Sequence, residues 1–154
     1  MNPAVQNEYL VTEVMTATPQ KLQLMLIEAA IRATLKAKKF RAAQQEAAAG
    51  DAILQAQEIV TQLIAGLNPD PQAAIARRLA SVYNFIFRSL VQAHVRQNNV
   101  GLDEALRILL IERETWQQAC KQFGSTQAAP PMTPHLGANR TDDAVTSSRM
   151  SLEA

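Results

Sequence analysis

Between Pro19 and Ala49 the chain carries neither a further proline nor a glycine. So long a stretch without a breaker, rich in Ala, Leu, Lys and Gln, reads as one helix of roughly 40 Å at 1.5 Å per residue. Its start is well marked. Thr18 can accept a hydrogen bond from a free amide of the first turn, and Pro19 suits the first helical position. Lys21 stands where a capping box would place Glu or Gln, so that box is incomplete. Gly50 is expected to end the helix and Asp51 to cap the next one.

The second helix then runs to about Ala65. The turn Gly66-Leu67-Asn68-Pro69-Asp70-Pro71 follows, with Asp70 placed to cap a third helix and Pro71 to open it. That helix extends to about Arg96. After the turn Asn98-Asn99-Val100-Gly101, a fourth runs from Leu102 to about Gln122. Residues 1–17 show little helical periodicity and contain Pro3, so they are expected to be extended or partly ordered. Residues 124–154 hold Pro130, Pro131 and Pro134 with few large apolar residues, too few to offset the entropy of ordering them. Short turns force neighbouring helices to run antiparallel. The expected fold is therefore all-α. It is an antiparallel four-helix bundle (18–123) with a flexible N-terminal cap segment (1–17) and a disordered tail (124–154).

The helices carry more apolar surface than one buried stripe requires. On the first long helix Leu22, Met25, Leu26, Ala29, Ala33, Ala37 and Phe40 make a main stripe. Leu24, Ile27, Ile31 and Leu35 make a second. Glu28, Arg32, Lys36 and Lys39 form a charged strip on one flank between them. On the next helix Ala52, Ala56, Ile59, Val60, Leu63 and Leu67 share one arc. The third has Ile75, Leu79, Val82, Ile86, Leu90 and Ala93, with Ala80, Phe87, Val91 and Val95 widening the arc. The fourth has Leu102, Leu106, Leu109, Trp116 and Cys120, with Ile108, Ile111 and Ala119 pointing elsewhere. Wide stripes are ordinary where a helix has two neighbours. Taken over three helices, the surplus favours a groove for an amphipathic partner helix. The candidate groove residues are Leu24, Ile27, Ile31, Leu35, Phe87, Val91, Ile108 and Ile111.

Chemistry is not expected. There is no P-loop, GxGxxG, HExxH, CxxC or GxSxG. Glu112 and Glu114 are two apart on a helix and point away from each other. Cys120 sits on the core stripe and reads as a buried, inert thiol. His94 is near a helix end, where a cation suits the dipole, and His135 lies in the tail. No metal or cofactor is expected. The 15 basic and 14 acidic residues leave a net charge of +1, which gives no footprint for nucleic acid. Arg77-Arg78 and Lys36, Lys38 and Lys39 read as solvated faces. No segment reads as a signal peptide or a membrane span, so the chain is expected in the cytoplasm.

An ordered set of residues carries a resemblance. Tyr9 precedes Val14-Met15-Thr16-Ala17-Thr18-Pro19 and Lys21-Leu22-Gln23-Leu24-Met25-Leu26. Ala56 to Leu67 follows, then Ile75-Ala76, Leu79, Val82-Tyr83-Asn84-Phe85, Leu90 to Ala93, and Arg113 with Trp116. Over roughly residues 5–122 this resembles the FliS-type flagellin export chaperones. It departs from their usual pattern at Glu28-Ala29 and at Glu112, and its tail is long. The resemblance implies a helical bundle that holds the C-terminal segment of flagellin. It also implies that the bundle prevents premature assembly and delivers its client to the flagellar type III export gate. It implies further that Tyr9 anchors an N-terminal cap over the groove until the client displaces it. The readings that compete are an adaptor for a different client and a homodimer that buries the surplus stripes against itself.

Overall fold

A computed structural model describes residues 2–70 and 72–124. Within them the chain is all-helical, with five helices and no strand: α1 (Pro3–Thr16), α2 (Pro19–Ala42), α3 (Glu46–Ala65), α4 (Ala74–Arg96) and α5 (Val100–Gly124). Of the tail expected to be disordered, Gly124 ends α5, and residues 125–154, His135 among them, lie outside the described residues.

The first departure from expectation is α1. Pro3 does not break it but opens it: Asn2 Oδ1 accepts from the Ala4 amide at 3.2 Å, and proline takes the first turn where no amide is needed. Pro19 enforces its end, because the residue before a proline is driven out of the helical region and Thr18 is extended (ψ 160°). Thr18 Oγ1 then caps α2 by accepting from the Lys21 amide at 3.1 Å.

α2 is shorter than its composition suggests, because the glycine was the wrong landmark. Gln44 takes a left-handed conformation (φ 58°). The Gln45 amide reaches back to the Phe40 carbonyl, and that of Gln44 to Arg41. This pair of bonds is a Schellman ending, here built on Gln instead of Gly. Arg41 secures the corner. Its guanidinium pairs with both oxygens of Glu46 and donates to the carbonyls of Asn98 (2.6 Å) and Ala93 (3.2 Å). The start of α3 is thereby tied to the α4–α5 junction, and Arg41 holds the Glu46 carboxyl below the usual carboxylate range. Gly50 is buried inside α3, where the ring of His94 packs on it: a Cβ there would stand 3.1 Å from His94 Cε1.

The remaining turns shift in the same way. Asp70 does not cap α4. Its Oδ1 accepts from the Gln72 amide in a local turn, and the helix begins at Ala74. α4 ends on left-handed Gln97 (φ 53°), and α5 begins at Val100, so Gly101 lies in its first turn. A Cβ at Gly101 would fall 2.1 Å from the Ser89 carbonyl oxygen of α4. The glycine is there for close approach of two helices, not to make a turn.

The core draws on α2 to α5: Ile27, Ala30, Ile31, Ala37, Ile53, Val60, Leu63, Tyr83, Ile86, Leu90, Leu102 and Leu109 among others. Small residues such as Ala30, Ala33, Ala52, Ala56 and Ala105 let the helices approach closely. The buried Thr34 hydroxyl is satisfied by the Ala30 carbonyl at 2.8 Å. Lys38 near the end of α2 meets Asp103 near the start of α5 at 2.6 Å.

Candidate functional site

The arc of α2 that faces the core determines what the other side can offer. Leu24, Ile27, Ala30, Ile31, Ala33, Thr34 and Ala37 are buried. At 100° per residue their mean direction is about opposite the charged strip of Glu28, Arg32, Lys36 and Lys39. The helix thus buries the sector lying between the two apolar stripes, taking members of both. Leu24, Ile27 and Ile31, expected in a partner groove, are core residues and closed to any partner in this conformation. Of the other expected groove residues, Phe87, Val91 and Ile108 are half-buried, while Leu35 and Ile111 are exposed. The structure does not gather the eight into one groove.

Outside its buried arc, the N-terminal half of α2 presents Leu22, Met25, Leu26 and Ala29, all half-buried, with Leu26 also packed against the core. What stands over these residues is α1. Leu10, Glu13 and Val14 of α1 line a cleft of about 620 Å³ together with Lys21, Leu22, Met25, Leu26, Glu28, Ala29 and Arg32 of α2 and Gln62 of α3. α1 buries none of its own residues. Leu10 and Val14, which line the cleft, remain exposed, and Met15 is 80 % exposed. Tyr9 is 70 % exposed and does not line the cleft, whereas Leu10 and Val14 do. A helix of 14 residues with so little buried surface is marginal alone and held by few contacts.

A second feature lies between α2, α4 and α5. Tyr83 is fully buried and its hydroxyl accepts from Gln23 Nε2 at 2.6 Å. Burial pushes the phenol up to about 12, opposed by the Gln23 contact and reinforced by the nearby Glu112 carboxylate. Burial likewise pushes the Glu112 carboxyl up, while the Trp116 indole favours its ionised form. The indole meets strict hydrogen-bond geometry with neither group, and Glu112 Oε2 and Trp116 Nε1 are buried without a partner. Trp116 is a half-buried wall residue packed on the core, not its centre, and Cys120 is also half-buried. Tyr83 was not legible as core from its stripe.

Glu112 has a consequence for stability. Its folded-state pKa lies above the 4.5 of a free carboxyl, so between those values the folded chain binds more protons than the unfolded one. The group therefore opposes folding at neutral pH and ceases to do so as pH falls below 4.5. Glu112→Gln is expected to melt at a higher temperature than the parent at neutral pH, with the gain gone at about pH 4. Thermal scans at the two pH values check this, and a lower melting temperature at neutral pH would contradict it.

No cluster of three or more His, Cys, Asp or Glu fit to hold a metal occurs among the described residues, and no helix there is long and apolar enough to cross a membrane.

Comparison with known proteins agrees with this picture. The family model described as flagellar protein FliS matches residues 1–123. The chain is 32% identical to the flagellar secretion chaperone FliS of Salmonella typhimurium over 106 residues, covering 68% of this chain and 78% of that one. It is 27% identical to the flagellar secretion chaperone FliS of Bacillus subtilis, covering 75% and 88%. It is 23% identical to the protein of that name in Vibrio cholerae, covering 77% and 87%.

Proposed function

The chain belongs to the FliS family, a family of chaperones and not of enzymes, and on that premise we propose that it binds the C-terminal helical segment of flagellin. It acts in the cytoplasm, keeps the client from polymerising early and assists its delivery to the flagellar export apparatus, where a gate component is a further partner. Residues 18–123 are the chaperone domain, an antiparallel bundle of α2–α5, and residues 1–17 are its cap. The observation that carries this reading is the apolar face of α2 beneath a helix that buries nothing of its own. An amphipathic client helix recognised through apolar positions one turn apart could take the place of α1. It would replace the sparse contacts of Leu10 and Val14 with a fuller interface over Leu22, Met25, Leu26 and Ala29.

The test separates surface from core. Leu22→Glu with Met25→Glu is expected to weaken flagellin binding by about tenfold or more, since hot-spot truncations cost 2 kcal/mol or above. The melting temperature should change little, because both side chains are only half-buried. Unchanged affinity in a folded double variant would move the client elsewhere on the bundle.

A further inference from the structure

α4 carries Arg77, Arg78, Arg88 and Arg96 and no acidic residue anywhere along its length. The chain as a whole is nearly neutral, at +1, so this charge is concentrated by placement, not by composition. All four arginines are exposed, as are Ser81, Asn84, Phe85, Gln92 and Val95. At 100° per residue these nine fall on one side of the helix, opposite the buried Tyr83, Ile86, Leu90 and Ala93. The ridge from Arg77 to Arg96 is about 28 Å long at 1.5 Å per residue. Arg78, Arg88 and Arg96 are paired with no carboxylate among the described residues. Beside Arg88, a surface groove of about 420 Å³ is lined by Ser81, Asn84 and Phe87.

We propose that the outer face of α4 is a docking surface for an acidic amphipathic helix of another protein, bound apart from the α1–α2 cleft and independently of the flagellin reading. The complement of guanidinium groups set two to three turns apart along one face is a set of carboxylates at helical spacing. Arginine also favours the planar, two-point pairing that carboxylates offer. Phe85 and Val95, the latter 73 % exposed, supply apolar contact between the charges. A membrane surface fits less well. A helix lying on lipid inserts its apolar face, and that face of α4 is already spent in the core. Nucleic acid fits less well too, because the ridge is not backed by a basic chain and Phe85 is its one exposed aromatic ring.

The experiment uses the full chain and a blocked helical peptide of about 20 residues, long enough to span the ridge, with Glu recurring at i, i+4 between Leu and Ala. The controls are the same peptide with Gln for Glu, a single-stranded RNA oligonucleotide and phosphatidylserine vesicles. The Glu peptide is expected to bind at least about tenfold more tightly than the Gln peptide, and to weaken as salt rises from roughly 50 to 300 mM. Arg78→Glu with Arg88→Glu, both at exposed positions, should abolish this preference, whereas Lys36→Glu with Lys39→Glu on α2 should leave it. Equal binding of the two peptides, or equal loss in both double variants, would overturn the proposal. Tighter binding of the RNA or the vesicles that depends on Arg78 and Arg88 would overturn it as well.

Discussion

Replacing Ile27 with Asp is expected to leave no stably folded protein. Ile27 is fully inaccessible and sits in the cluster that joins α2 to Ile53, Val60, Ile86 and Leu109. The change removes a buried aliphatic side chain and puts a carboxylate with no partner in its place. The first effect alone costs about 2–5 kcal/mol, and burying an unpaired charge adds several more. A small domain has only about 5–15 kcal/mol in total. Far-ultraviolet circular dichroism at 25 °C should show most of the helical signal lost. A folded Ile27→Asp variant that merely failed to bind its client would mean that this face of α2 is a surface and the core lies elsewhere.

Gly101→Ala is expected to be among the most destabilising single-methyl additions the chain can suffer. In helices, glycine to alanine ordinarily stabilises by up to about 1 kcal/mol. Here the new Cβ would stand 2.1 Å from the Ser89 carbonyl oxygen and 3.0 Å from Ala93 Cβ. The nearest obstacle is backbone in the middle of α4, so no side-chain rotation relieves it. α5 must move outward, disturbing Leu102 and Ala105 one turn away, both buried. Overpacking of this kind costs about 3 kcal/mol or more. Chemical denaturation should show a midpoint shifted down with the slope unchanged. A variant as stable as the parent would mean that the α4–α5 contact is looser than described.

These two residues also show what the sequence could and could not disclose. Four of the five helices, their order and the small-residue packing are written in the breaker pattern and the apolar periodicity. Helical phase alone did not reveal which stripe of α2 faces inward, because both are apolar. The deciding feature is the charged strip: the buried sector lies opposite it and passes through Ala30 and Thr34, small residues that stripe counting passes over. Glycines misled the boundaries because Gly50 and Gly101 serve helix contact, while the tight α2–α3 corner is made by Gln44 and the α4 ending by Gln97. α1 escaped notice because its apolar residues are spread round the helix with no buried stripe. The pattern of α1 by itself thus says little. The resemblance singles out Tyr9, while Leu10 and Val14, one turn apart, line the cleft.

We propose flagellin's C-terminal segment as the client of this bundle. This is tested most directly by co-purifying the chain with flagellin from the same organism, full-length and lacking that segment. A complex is expected with the full-length protein and none with the truncated one. Equal capture of both forms, or of neither, would contradict it.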